Sequence, residues 1–272
     1  HQGKAQRFLK DARDAFDAAH AQDSDDASIL KDYADVLLQL GDSDLAADVY
    51  RRLTKITPDD PTAWFLLGRS LSLIGPGGAG ESVKALNQAL ALTPNDSPDA
   101  IGTLLLLGKV YRTSGLFEFA RECAEKALSL DPNNLGAQLA LVAANVLEGN
   151  IAAAAADLDA IGLLPPEYAA GIPSLLGEAL DSYQESRHLL ADTPENHMAY
   201  AKLLLYAGRI QSSLLAAERA AMLDPGSTAT WNLIGALSSQ LGDTAKARRA
   251  YERSLQLDPN DIRTREALEA LK

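Results

Sequence analysis

Six glycines and six prolines recur in step along the 272-residue chain. Three of the five glycine intervals and two of the five proline intervals are 34 residues long. A fixed period of this size indicates a repeat array, in which one small unit is stacked against copies of itself. Such an array presents an interaction surface before it presents a catalytic pocket. The glycines are Gly41, Gly75, Gly115, Gly149, Gly208 and Gly242, and the prolines are Pro58, Pro94, Pro132, Pro166, Pro225 and Pro259.

The unit 228–261 predicts two helices joined by a turn. Trp231 and Ile234 have the spacing of one helix face, and Ala247 and Tyr251 have the spacing of a second helix face. The glycine between them permits a tight turn that a Cβ would hinder. The proline stops the second helix, and it pushes the residue before it out of the helical region.

These positions resemble the tetratricopeptide repeat, in which helix A and helix B of each unit pack as an antiparallel pair. The resemblance covers nearly the whole chain, and it implies an all-α fold, a right-handed superhelical solenoid. Helix A of the first repeat would lie before His1, so we expect the sequence to be part of a longer protein. The expected organisation is a partial repeat (helix B only) at 1–26, repeats at 27–60, 61–96 (with a lengthened turn), 101–134, 135–168 (degenerate), 194–227 and 228–261, an irregular short repeat at 169–193, and a capping helix at 262–272.

Composition excludes several classes of function. The net charge of −12 argues against sequence-independent nucleic-acid binding, which needs a basic surface. No run of about 18 apolar residues occurs, so no helix is expected to span a membrane. The single cysteine, Cys123, cannot form an internal disulfide and is expected to be a packing residue. The four histidines lack metal-ligand spacing, and the motifs HExxH, the Walker loop and GxSxG are missing, so no metal, no cofactor and no catalytic residues are predicted.

Two short segments match sequence patterns that are known from enzymes. The segment Gly75–Gly80 fits the dinucleotide pattern G-x-G-x-x-G, which has meaning only between a strand and a helix. Helical spacing precedes it here, so the glycines predict a lengthened turn. Ser28 and Lys31 fit the pattern S-x-x-K, but Ser28 opens a helix, where serine commonly caps the first turn.

The resemblance also implies where a partner binds. The A helices of the family line a concave groove that holds an extended peptide or a partner's helix. Basic residues recur at one groove position, in Arg69, Lys109 and Lys202, which favours an acidic segment or a carboxylate terminus. The alternative is that these are ordinary solvated cations on a helix face. The groove residues selected are Lys31, Phe65, Arg69, Leu105, Lys109, Arg112, Met198, Lys202, Tyr206 and Asn232.

The predicted function is a non-catalytic scaffold or adaptor that binds a protein or peptide. One alternative is the regulatory or targeting arm of a larger enzyme. Another is the soluble arm of a membrane-anchored bacterial assembly factor, of the cytochrome c maturation, pilus or polysaccharide-export type, which favours a periplasmic location over a cytoplasmic one. The lysine–asparagine clamp that grips chaperone C-termini is missing, because Asp35, Arg69 and Lys109 occupy its asparagine positions. The oligomeric state is left open.

Overall fold

The computed structural model describes residues 14, 26–94, 96–161, 172–185 and 191–271. These ranges contain helices, turns and loops, and no strand. No helix within them is both long enough and apolar enough to cross a bilayer. The predicted partial repeat at 1–26 lies almost entirely outside the described residues, as does the first part of the irregular repeat at 169–193. The chain divides into two compact units, His1–Ala140 and Leu141–Lys272.

The first unit is built from helices that pack in chain order, each against the next. Its largest core cluster buries Leu30, Leu37 and Tyr50 with the apolar face of the third helix. The helices are α1 (Ala27–Leu40), α2 (Ser43–Ile56), α3 (Pro61–Leu73), α4 (Pro76–Leu92), α5 (Asp99–Thr113) and α6 (Phe117–Leu130), followed by α7 (Leu135–Leu147), which ends in the second unit.

The described residues of the second unit form further helices, most of which pack against the next helix in the chain. The helices are α8 (Ile151–Ile161), α9 (Ile172–Glu185), α10 (Pro194–Tyr206), α11 (Ile210–Leu223), α12 (Thr228–Gln240), α13 (Thr244–Leu257) and α14 (Ile262–Ala270). Both α8 and α9 contact α10. Arg209, at the start of α11, holds α9 in place, because its guanidinium donates to the Gly177 carbonyl at 3.1 Å and to Asp181 at 2.8 Å.

The turn geometry confirms the interpretation of the periodic residues. All six periodic glycines have positive φ, between 74° and 88°, and no other glycine in the described ranges does. The residue before the proline is extended at Thr93 (ψ 135°), Asp131 (ψ 96°), Asp224 and Asp258. Thr57, with ψ 67°, lies outside both the helical and the extended regions. Both features are local, since the backbone conformation at each position follows from the residue type there.

Small residues on helix A let helix B approach closely. A Cβ added to Gly235 would lie 2.5 Å from the Tyr251 ring, and one added to Gly68 would lie 2.6 Å from Leu86 Cγ. Ala247 and Ala46, on the B helices, are completely buried. The alanines and glycines of the repeat are therefore close-packing positions, where added volume would force the helices apart.

The lengthened turn predicted at Gly75–Gly80 is wrong. The turn consists of Ile74 and Gly75, of which Gly75 has φ 86°, and α4 begins at Pro76 and runs for 17 residues. Proline is favoured in the first helical turn because the backbone N–H that it lacks has no partner there. The extra residues therefore lengthen helix B, and no strand precedes the glycines in the described part of the unit.

Helix α1 is capped by Asp26 rather than by Ser28, which corrects the sequence interpretation. Ser28 lies inside the helix, and its N–H and hydroxyl both donate to the Asp26 carboxylate, at 2.9 and 2.8 Å. The N–H groups of Ser28 and Ile29, which the first turn leaves without a helical partner, are thereby satisfied by Asp26. The hydrogen bonds from Ser28 lower the pKa of Asp26.

Candidate binding surface

Six of the predicted groove residues lie on α1, α3 and α5 of the first unit. Phe65 and Leu105 are half-buried. Phe65 packs against the core of α1–α4, and Leu105 packs against buried residues of α5 and α6. Helices α3 and α5 contact each other, and a shared face for these two side chains and the predicted cations stays a prediction.

Three of the cations on these helices are exposed. Lys31, Arg69 and Lys109 project from α1, α3 and α5. Within the described part of the chain, none of the three has a carboxylate at ion-pair distance. Arg112 is half-buried and makes a contact of its own, so it contributes less available charge. We call Lys31, Phe65, Arg69, Leu105, Lys109 and Arg112 the A-helix surface.

One acidic residue beside this surface is already engaged. The hydroxyl of Tyr50, on α2, donates to Asp35 Oδ1 at 2.6 Å. Burial, and then this hydrogen bond, raise the pKa of Tyr50, and the positive charge of Arg69 acts in the opposite direction. Asp35 is thus held by a buried tyrosine and does not form an ion pair with Arg69.

The predicted residues of the second unit are mostly engaged within the chain. Lys202, on α10, forms an ion pair with Asp159 of α8. The Asn232 amide donates to Asp261 at 3.0 Å, and its oxygen accepts from the Thr264 hydroxyl at 2.7 Å. Met198 lies 3.8 Å from the Thr230 hydroxyl, and Tyr206 is 36% exposed. Sequence reasoning missed these partners because they come from other helices.

Asp192, which precedes α10, contacts the side chains of Arg219 and His197. Arg219 Nε donates to its carboxylate at 3.0 Å, and His197 Nε2 lies 2.7 Å from Oδ1. The hydrogen bond from Arg219, followed by that from His197, lowers the pKa of Asp192 to about 2. The charged form is therefore favoured by folding. This contribution to stability is present above about pH 4 and is lost as the pH falls towards 2.

Replacing Arg219 by glutamine is expected to return the pKa of Asp192 towards its ordinary value of about 3.9. The neutral amide cannot supply the charge-assisted hydrogen bond that dominates the present shift. Carbon-detected NMR titration of the Asp192 carboxyl measures this directly, with exposed Asp59 as the internal control. An unchanged titration curve in the variant would show that Arg219 does not hold the carboxylate.

Two clefts outside the predicted groove were not anticipated. One, of about 610 Å³, lies between α4, α5 and α6. The other, of about 490 Å³, lies between α11, α12 and α13 and is edged by Lys246, Arg249 and Arg253. Their lining residues fall at the same repeat positions, so a comparison of aligned units could have identified them.

Comparison with family models supports the repeat interpretation. One model of the tetratricopeptide repeat matches residues 4–61, and a second matches residues 102–134 and 228–261. Among curated proteins, the chain is similar to mouse aspartyl/asparaginyl beta-hydroxylase, with 33% identity over 95 residues. That match covers 32% of this chain and 12% of the hydroxylase, so the chain corresponds to only a small part of that enzyme.

One solved structure shows the same type of fold, and a second match is weaker. The C-terminal part of a TPR repeat-containing protein from Cytophaga hutchinsonii is 15% identical, with a TM-score of 0.54, and the match covers 97% of this chain and 98% of that one. A tetratricopeptide repeat protein from Parabacteroides merdae is 13% identical, with a TM-score of 0.49, covering 97% and 92%. At this level of identity, the first match shows the fold alone.

Proposed function

The chain is a tetratricopeptide repeat protein, and from that premise we propose that its A-helix surface binds a partner peptide or helix that carries acidic side chains. Repeats of this family are protein-interaction scaffolds and are typically non-catalytic. The observation that carries the finer proposal is the set of exposed cations Lys31, Arg69 and Lys109. These three residues are positively charged, whereas the chain as a whole has a net charge of −12.

The arrangement suits an amphipathic ligand. Phe65 and Leu105 offer apolar contact area to its uncharged side chains, while Arg69 and Lys109 donate charge-assisted hydrogen bonds to carboxylates. A preformed helical surface loses little conformational entropy when it binds. Lys202 contributes less, because separating it from Asp159 would offset part of what it gains from a ligand.

Reversal of charge at Arg69, Lys109 and Lys202 together, each to Glu, is expected to weaken ligand binding by at least about tenfold and to leave folding intact, because each lost charge-assisted hydrogen bond contributes about 1.5–3 kcal/mol. Peptides selected from a phage-displayed random library on the unmodified protein serve as probes. Fluorescence anisotropy gives their affinities, and circular dichroism monitors folding. If no selected peptide loses affinity in the triple variant, the proposed cationic surface is refuted.

The structure permits a finer version of this test. The double change Arg69→Glu/Lys109→Glu is expected to account for most of the loss, and Lys202→Glu alone for little. Lys84→Glu/Arg263→Glu changes the net charge equally at exposed positions away from the A-helix surface and serves as the control. Equal losses in the control would mean that overall charge, rather than this surface, governs binding.

A second candidate function is a regulatory or targeting arm of a larger enzyme. The match to aspartyl/asparaginyl beta-hydroxylase supports it, because a stretch of that enzyme resembles part of this repeat array. The reading frame on both sides of the codons for His1 and Lys272 decides the matter. If a catalytic domain is encoded there, the chain is an arm of a larger enzyme. If none is encoded there, the scaffold function proposed above is favoured.

A further inference from the structure

The cleft between α11, α12 and α13 combines an apolar floor with a basic edge. Ile234 and Ala250 are 3% and 2% exposed and form the base, together with half-buried Trp231. The Trp231 indole donates to the Pro225 carbonyl at 3.0 Å, which fixes the ring in place. Met222 flanks the opening and is 70% exposed. The volume of about 490 Å³ is within the range of about 300–1,000 Å³ usual for ligand sites.

The edge of this cleft retains available positive charge. Lys246 is paired with Glu218, which is the one carboxylate among the lining residues. Arg249 is exposed, and within the described part of the chain it has no ion-pair partner. Among the described residues, Arg253 donates only to the neutral Gln256 side chain, at 3.2 Å. Two guanidinium groups therefore border an apolar recess without a carboxylate of their own.

The first unit contains the same cleft with different chemistry, which provides a comparison within the chain. In the cleft of α4, α5 and α6, Glu122 occupies the repeat position of Arg249, and Lys126 occupies that of Arg253. One carboxylate and one cation replace two cations there. Stacking of repeats therefore accounts for the recess in both places, whereas the basic edge belongs only to the second.

Helix α11 forms one wall of this cleft and carries two exposed apolar side chains. Leu215 and Met222 are 62% and 70% exposed and lie seven residues apart, which places them on one face of the helix. Of the two, Met222 borders the cleft itself and adds apolar contact area at its opening.

We propose that the cleft between α11, α12 and α13 is a second binding site, for an acidic amphipathic peptide. An apolar side chain of the peptide fills the recess over Trp231 and Ile234. Carboxylates beside that side chain accept hydrogen bonds from Arg249 and Arg253. A planar guanidinium group can bind a carboxylate through two parallel hydrogen bonds. The site shares no residue with the A-helix surface and does not depend on the function proposed for that surface.

The test uses the phage-displayed random peptide library described above, with the whole chain as bait. We expect a class of peptides with Asp or Glu flanking a Leu, Ile, Phe or Trp. Their affinity should fall at least about tenfold in Arg249→Glu/Arg253→Glu, because two charge-assisted hydrogen bonds are lost. It should fall by a smaller factor in Met222→Gln, and it should not change in Lys84→Glu/Arg263→Glu or in Arg69→Glu/Lys109→Glu.

A gain-of-binding variant makes the test independent of lost folding. Glu122→Arg gives the first cleft two cations, as in the second cleft. The same peptides should therefore bind this variant at two sites instead of one. The proposal is overturned if no such class is enriched, or if the class binds Arg249→Glu/Arg253→Glu with unchanged affinity. Peptides that are lost only in Arg69→Glu/Lys109→Glu would support the A-helix surface and count against this cleft.

Discussion

Alanine at Gly78 is expected to destabilise the first unit by about 2–3 kcal/mol, whereas alanine at the neighbouring glycines of the same helix is not. A Cβ on Gly78 would lie 2.1 Å from the Leu71 carbonyl oxygen and 3.2 Å from Ile74 Cβ. The obstacle is backbone, which cannot rotate aside, so α3 and α4 would have to separate. The separation would disturb the packing of Gly68 against Leu86 as well.

Gly77 and Gly80 are the matched controls on the same helix. A Cβ at either position meets nothing within 4 Å, so alanine there should be neutral or stabilise by up to about 1 kcal/mol. Urea unfolding is followed through Trp64 on α3, in a Trp231→Phe background, because the chain has only two tryptophans. Equal shifts in all three variants would contradict the close approach of α3 and α4.

Truncation of Tyr50 to alanine is expected to cost about 3–5 kcal/mol, the range for removing a buried aromatic side chain. Tyr50 is completely buried among α1, α2 and α3, and it is the largest side chain in the described ranges with that degree of burial. The variant would leave a cavity in the core cluster that also contains Leu30 and Leu37. The loss is expected in the first unit, since repeats interact chiefly with their neighbours.

Tyr50→Phe separates the hydrogen bond from the ring. It keeps the packing and removes only the bond to the Asp35 carboxylate, which should cost about 1.5–3 kcal/mol. Tyr206→Ala removes a ring that is 36% exposed and should have a much smaller effect than Tyr50→Ala. The same Trp64 fluorescence measurement applies to the Tyr50 variants. A loss in Tyr50→Phe as large as in Tyr50→Ala would show that the hydroxyl, not the ring, stabilises the core.

Local features of the fold could be predicted from the residues alone. The positions of the six turn glycines and of the extended residues before proline follow from backbone sterics at single residues. The helical spacing of Trp231 and Ile234 likewise predicted α12, because a helix face is defined within the helix itself. The glycine-rich stretch after Gly75 was misinterpreted, since the same residues permit either a loop or a closely packed helix.

The sequence by itself therefore determined the repeat, its turns and the all-helical fold, because a 34-residue period encodes contacts between near neighbours in the chain. Only the tertiary structure decided which charges are available to a ligand. Lys202 has the same repeat position as Arg69 and Lys109, yet its partner Asp159 lies 43 residues away along the chain. Likewise, Asp261 and Thr264 engage Asn232 from a different helix. The cleft edged by Arg249 and Arg253 also depends on tertiary structure, because its apolar base forms only where three helices pack together.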